Sequence, residues 1–399
     1  MEIIMKNKRT ETEQNLQHLF NNLISQGEIA GAACSILHQG EVAASVSCGY
    51  ADIAQKKPVE NDTIFRLYSM SKPVASVGFM ILLERGLIDI MTPLSEYLPE
   101  YKHMKVASPE GLVDANREIL ILDVLRMTSG IVYPDLASGD IAGQEMDLVE
   151  QKIRKGINSG IELSTREVCR EIAKVPLAFQ PGAAWRYGFN VDVMGGVIEV
   201  ITGKTLGAFY RDEIFYPLDM TDTDFFVPKE KQDRLAILYQ YDEELHGLTE
   251  DTNRHLGLTF GLTQPGFESG GAGLYSTLRD YSIFAAMLAG RGTYQNTQIL
   301  SASGVAFFEK NQLEPQQFAT FDWDQIVGHD YANFMRIYRD PKMIGCLGTV
   351  GEFGWDGWTG PYFTADIHND LAIVMMLQRG GYCNVKLLRQ LRNIAHSIL

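Results

Sequence analysis

The sequence predicts an α+β protein: an antiparallel β-sheet flanked by helices, with a mainly helical lobe inserted into it. Three observations predict this. Strand patterns lie near both ends of the chain, helical patterns flank them, and the middle is helical with long polar connections. The chain has 399 residues, 45% hydrophobic and 21% charged, which is apolar material enough for one large core.

Residues 11–26 carry Leu16, Leu19, Phe20 and Leu23 at helical spacing before Gly27, so an amphipathic helix is expected there. GAACSILHQGEVAASVSCGYAD then reads as a hairpin turning at Gln39-Gly40. Near the other end, GPYFTADIHND and LAIVMMLQ form a second strand pair around His368-Asn369-Asp370, and VKLLRQLRNIAHSIL closes the chain as a helix. The two ends therefore build one sheet lobe, approximately 11–88 plus 252–399. The helical lobe spans approximately 89–251 and includes REVCREIAKV and VDVMGGVIEVI. No repeat or low-complexity linker separates them, so 1–399 reads as a single domain whose interlobe crevice suits a small molecule.

The formal net charge is −15, which argues against nucleic acid or an anionic membrane as partner. No run approaches the length of a membrane-spanning helix. The start, MEIIMKNKRTETEQNLQHLF, lacks the apolar run and cleavage site of a secretory signal, and a cytoplasmic location is expected. The five cysteines, Cys34, Cys48, Cys169, Cys346 and Cys383, read as buried free thiols. No CxxC, HExxH or clustered histidine spacing suggests a metal.

The stretch IFRLYSMSKPVASVGFMILLERG is the most informative. Ser69 and Lys72 are three apart, which on a helix puts both on one face. A serine hydroxyl needs a neighbouring base, and a lysine serves once desolvation lowers its pKa. The apolar residues from Val74 to Leu83 predict burial of the following helix. Pro73 belongs in a first helical turn, which puts Ser69 beside unpaired backbone N–H groups at the helix start. Because a residue before proline resists helical geometry, an irregular turn is expected at Lys72. Taken alone, Ser-x-x-Lys is equally a helix cap beside a solvated lysine.

Further blocks follow in order: GLIDIMTPLSEYLPEY, ILDVLRMTSGI, FQPGAAWRYGFNVDVMGGVIEVITG, GGAGLYSTLRDYSIFAAML and EFGWDGWTGPYFTADIHND. With the Ser69–Lys72 tetrad, they make the chain resemble the serine β-lactamase and penicillin-binding-protein superfamily from roughly Gln26 to Gln378. It is most similar to the class C β-lactamase-like branch that includes family VIII carboxylesterases. The resemblance implies a β-lactamase/transpeptidase-like fold and an acyl-enzyme mechanism, with Ser69 as nucleophile and Lys72 as base. It makes Tyr187, the tyrosine of a Tyr-x-Asn motif, a second base or proton carrier, which requires a phenolate stabilised by a cation such as Lys72. Outside the resemblance Tyr187 is one of 17 tyrosines and reads as a packing residue.

Trp355-Asp356-Gly357 stands where the family has Lys-Thr-Gly, and similarity implies an oxyanion hole from the N–H groups of Trp358 and Ser69. Gly357 allows close approach to the strand. Phe189 stands where the motif has asparagine, leaving Asn190 beside it as a displaced amide donor. Trp355 removes a cation that would hold a substrate carboxylate, and Met127 replaces a histidine common in relatives. The Met127 change reads as structural, whereas the Phe189 and Trp355 departures favour ester or small-amide substrates over β-lactams. A sensor that acylates without turnover, or a D-amino-acid peptidase, are the alternatives. No metal or organic cofactor is implied, and the partner is a small-molecule ester, amide or β-lactam. No Gly-x-Ser-x-Gly occurs, which excludes the α/β-hydrolase type, and Gly203-Lys204-Thr205 reads as a helix terminus rather than a phosphate loop.

Overall fold

In the computed structural model, which describes residues 2–137, 139–252, 255–258, 261–310 and 312–399, eight strands form one antiparallel sheet. These are β1 (Gly31–His38), β2 (Glu41–Asp52), β3 (Lys57–Pro58), β4 (His329–Ala332), β5 (Met335–Tyr338), β6 (Phe353–Asp356), β7 (Tyr362–Asp366) and β8 (Leu371–Leu377). Their spatial order is β4-β5-β6-β7-β8-β1-β2-β3. The two ends of the chain meet where β1 pairs with β8, from Ala32 opposite Leu377 to His38 opposite Leu371. Gln39 (φ 54°) and Gly40 (φ 75°) both take the left-handed conformation that a two-residue hairpin turn requires.

The helices that cover the sheet or carry the site are α1 (Glu2–Ser25), α2 (Lys72–Glu84), α3 (Ile141–Ser159), α4 (Thr165–Ile172), α5 (Asn190–Thr202), α6 (Leu278–Ala289) and α7 (Val385–His396). All seven residues of β8 are buried, and their alternation divides them between two layers. Ile373, Met375 and Leu377 pack with Leu16 and Phe20 of α1 and Leu387 and Leu391 of α7. Ala372, Val374 and Met376 face the larger cluster, which contains Phe284 of α6. That cluster continues without a break into Val74 and Phe79 of α2 and Val193 and Ile198 of α5, so sheet and helical layers share one core. Each large apolar side chain fully buried there contributes roughly 1.5–3 kcal/mol.

Two readings need correction. The first helix begins at Glu2, not at 11. The apolar stripe marks the part of the helix that packs against the sheet, with Leu16 and Phe20 in its core. The middle of the chain also holds two antiparallel ribbons, Lys105–Ser108 with Gly111–Asp114 and Tyr239–Asp242 with Gly247–Glu250, where the sequence reads as polar connection. Gly203 (φ 68°) closes α5, and the Gly203-Lys204-Thr205 segment is a helix terminus.

A buried ion pair ties α7 to the segment that leads into β6. Arg392 donates to both oxygens of Glu352 at 2.6 and 2.9 Å and also reaches the Tyr362 hydroxyl at 2.9 Å. Burial alone would raise the Glu352 carboxyl, but the Arg392 guanidinium outweighs it and holds it well below the usual carboxylate range. Removing Arg392 leaves the buried Glu352 charge with the weaker support of His396 and the Thr364 hydroxyl. Arg392→Met is therefore expected to lower stability by about 3–5 kcal/mol, read from urea unfolding of the two proteins at pH 7.

Candidate active site

Ser69 lies in a short 3-10 turn, Tyr68–Ser71, that runs directly into α2. The preceding Tyr68 has φ +44°, a conformation that costs an L-residue roughly 1–2 kcal/mol. Packing holds it there: the Tyr68 ring meets Trp358 edge-on at 5.2 Å. Backbone and side-chain bonds fix the rest of the turn. Tyr281 donates to the Met70 carbonyl at 2.8 Å, Leu274 N–H to Ser71 Oγ at 3.1 Å, and Leu67 N–H to the Leu274 carbonyl at 2.9 Å. The first hydrogen bond of the turn runs from Met70 N–H to Leu67, so the Ser69 N–H has no acceptor within it.

Lys72 is fully buried. The irregular turn expected there is absent: Lys72 has φ −60° and ψ −40°, ordinary helical values despite Pro73. Burial of every residue from Lys72 to Leu82 outweighs the local preference. The amine Nζ lies 3.1 Å from Ser69 Oγ, 2.7 Å from the Gly271 carbonyl and 3.3 Å from the Tyr133 hydroxyl. Desolvation lowers its pKa to about 7, with the Asp192 carboxylate acting in the opposite sense. An amine that is partly neutral at pH 7 can accept the serine proton.

Tyr187 reaches the same point from the loop before α5. Its ring centroid is 4.6 Å from Lys72 Nζ, and its hydroxyl accepts the indole N–H of Trp355 at 2.8 Å. Burial pushes the phenol well above its usual pKa, and the hydrogen bonds of Ser69 and Trp355 to it only partly oppose this. Burial therefore works against the phenolate that the resemblance requires of a second base.

Trp355, Gly357 and Trp358 line the opposite wall at the end of β6. A Cβ on Gly357 would collide with the Leu67 carbonyl, so glycine lets this wall close onto the nucleophile turn. Trp358 stacks on His255 at 4.3 Å, and among the described residues its N–H has no acceptor. Asn190 is the exception. It is buried with its amide donating to Ile131 at 3.1 Å and its oxygen accepting from Ser129 at 2.6 Å. Both ends are engaged within the protein, so the structure corrects the displaced-donor reading: Asn190 pins the 129–131 loop and does not face the cavity.

That loop leads to Tyr133, which sequence reasoning missed. Tyr133 follows the ILDVLRMTSGI block by two residues, and its hydroxyl is the first chemically capable side chain beyond it. Phe189, in the asparagine's place, packs edge-on against Tyr133 at 4.6 Å and holds the ring beside Lys72.

The enclosed space is a cavity of about 430 Å³ walled by Ser69, Tyr133, Tyr187, Trp323, Trp355 and Trp358 among others. Asp356 also faces it, paired with Arg336 at 2.7 Å. Cys34, Cys48 and Cys169 are buried free thiols, whereas Cys383 is exposed and lines the cavity, a correction to the reading of all five as interior. Among the described residues no group of three or more potential metal ligands is present, and no helix is long and apolar enough to cross a membrane.

Known proteins resemble most of the chain. A family model described as Beta-lactamase matches residues 14–395. Protein Rv1367c of Mycobacterium tuberculosis is 30% identical over 364 residues, 88% of this chain and 86% of the relative. Esterase EstB of Burkholderia gladioli is 29% identical over 284 residues, 66% of this chain and 67% of the relative. The solved structure of EstCE1, a hydrolase with promiscuous acyltransferase activity, superposes with a TM-score of 0.78 at 23% identity, covering 98% of this chain and 100% of that one.

The close approach at Gly357 generates a test. Gly357→Ala must push β6 away from Leu67 or distort the strained turn at Tyr68. Overpacking of this kind costs about 1–3 kcal/mol. Labelling of Ser69 by a fluorophosphonate is expected to slow at least about tenfold if that energy falls on the site, followed by mass spectrometry against time.

Proposed function

The chain belongs to the beta-lactamase family and is a serine hydrolase of the acyl-enzyme type; from that premise we propose that Ser69, Lys72 and Tyr187 hydrolyse compact uncharged esters or small amides in the aromatic cavity. The observation that carries the assignment of roles is the buried amine of Lys72, 3.1 Å from Ser69 Oγ. Neutral Lys72 takes the serine proton as Oγ attacks the carbonyl. The oxyanion that forms is met by the N–H groups of Ser69 and Trp358, both left without acceptors in their own turns. Tyr187, a protonated phenol between Ser69 and Trp355, hands a proton to the leaving group and recovers it from Lys72. Water then attacks the acyl-enzyme, and the same two groups carry its proton in reverse.

The cavity wall supports the substrate class. No lysine or arginine is among its described lining residues, and the carboxylates of Glu150 and Asp356 are. Arg336 is committed to Asp356 and stacks on Tyr362 at 4.9 Å. A free carboxylate, which β-lactams and D-alanyl peptides both carry, would find no uncommitted cation on this wall, since Arg336 is paired with Asp356 and Arg154 with Glu150. The similarity to Esterase EstB of Burkholderia gladioli agrees with this reading.

Two outcomes are expected. Ser69→Ala should abolish p-nitrophenyl acetate turnover with an unchanged melting temperature, and the wild-type protein should turn over the ester with at least about a hundredfold higher kcat/KM than nitrocefin, since one misplaced charge contact is worth about 2–3 kcal/mol. Equal or better turnover of nitrocefin would reverse the substrate assignment. In addition, kcat/KM for the ester should rise with pH through about 7, because only the deprotonated amine of Lys72 accepts the serine proton. A flat profile between pH 5.5 and 8.5 would remove Lys72 as the base.

A further inference from the structure

Asp192 lies in the first turn of α5 and is 1% exposed. Its Oδ1 accepts from Ser269 Oγ at 2.5 Å and from the Gly271 N–H at 3.2 Å. Its Oδ2 is buried with no hydrogen-bond partner. A carboxylate oxygen in that state is costly, since neither water nor a donor compensates for desolvation. Burial accordingly raises the Asp192 carboxyl above its usual value, against the hydrogen bond from Ser269 and the charge of Lys72. Among the described residues no arginine or lysine makes an ion pair with it.

Gly271 connects this carboxylate to the reacting centre. Its N–H is held by Asp192 and its carbonyl holds the Lys72 amine at 2.7 Å. Its Cα fits in a gap where a Cβ would stand 2.6 Å from Asp192 Oδ2 and 3.1 Å from the Tyr133 hydroxyl. The Ser269 hydroxyl also accepts from the Ala272 N–H at 3.1 Å, which locks the turn. The other titratable groups around the pair are Tyr133 and Tyr187 on the side of the amine, and Tyr101, Tyr210 and Cys169 on the far side of the carboxylate. Burial keeps all five neutral near pH 7. Glu268 and Glu199 lie beyond Tyr210, where they accept from the backbone of Gly207 and Leu206.

We propose that Asp192 is a positioning residue for the reaction: through the Ser269–Gly271 turn it fixes the aim of the Lys72 amine, and it supplies the negative charge that this amine feels. The inference rests on Lys72 as the base. An amine at this depth with no anion nearby would lose its proton far below neutral pH, and it would then be too weak a base to drive attack. An anion in direct contact would form an ion pair and keep the amine charged. A carboxylate one peptide unit away does neither.

The test is the pH profile of kcat/KM for p-nitrophenyl acetate. Asp192→Asn keeps the shape and an acceptor oxygen while removing the charge, so the acidic limb is expected to move to lower pH by at least about half a unit. Ser269→Ala removes the hydrogen bond that stabilises the charged carboxylate and loosens the turn that aims the amine, so the limb is expected to move the same way by a smaller amount. A loss of kcat in both variants with the limb fixed would make Asp192 a purely structural residue and overturn the proposal. An Asp192→Asn protein that fails to fold, judged by near-ultraviolet circular dichroism, together with an unmoved limb in Ser269→Ala, would do the same. Lys72→Met serves as the control for the underlying reading: if it retains turnover, the base assignment fails, whatever the limb does.

Discussion

The site depends on the burial of one amine. Lys72 has no exposure, makes no ion pair among the described residues, and is held by the Gly271 carbonyl, the Tyr133 phenol and the Ser69 hydroxyl. Desolvation brings it to the edge of neutrality, and the rest of the machinery follows from that state. The neutral form has a lone pair for the Ser69 proton. The charged form, once made, faces a carbonyl oxygen and a phenolic oxygen already oriented toward it. The environment therefore changes little during proton transfer, which is the condition under which fixed dipoles act most strongly.

Holding an amine in that state needs convergence from distant parts of the chain. The nucleophile turn follows the first hairpin and its strained Tyr68 is braced by Trp358 from the turn after β6. Tyr187 and Tyr133 come from the helical lobe, and Gly271 from the segment between that lobe and α6. Each close approach uses the absence of a side chain, at Gly357 against Leu67 and at Gly271 against Asp192. The single core running through sheet and helices makes the geometry rigid, because no segment can retreat without opening a void. The buried Glu352–Arg392 pair performs a similar task for the strand wall, anchoring the start of β6 to the last helix.

How much of this was legible in the sequence divides along physical lines. The hairpin at Gln39-Gly40, the closing strand pair and the final helix show in local pattern, because period-2 and period-3.6 alternation and turn chemistry are local properties. Ser69, Lys72 and Tyr187 show because they belong to ordered blocks. Tyr133 and Asp192 do not, since their importance lies in contacts with Lys72 across 61 residues and with Gly271 across 79. Nor does the direction of Asn190: position beside a motif says nothing about which way an amide turns, and here Ser129 and Ile131 claim both of its ends. The protonation of Tyr187 is likewise invisible, because it is set by burial rather than by neighbours in sequence.

Replacing the family's lysine with Trp355 links two of these features. The tryptophan does not leave the position chemically silent, because its indole N–H donates to the Tyr187 hydroxyl. A cation there would lower the phenol's pKa and favour a phenolate; a neutral donor supports the oxygen without supplying charge. With Tyr187 kept as a phenol, the burden of accepting the serine proton falls on Lys72, and the tyrosine is left to relay. The same substitution removes the positive field from the cavity, so that Asp356, balanced by Arg336 behind it, presents its free edge to the substrate. Under the proposed mechanism, one residue thus bears both on the division of labour between Lys72 and Tyr187 and on the charge a substrate can carry. That coupling gives a physical reason for an esterase-like preference to accompany this form of the motif.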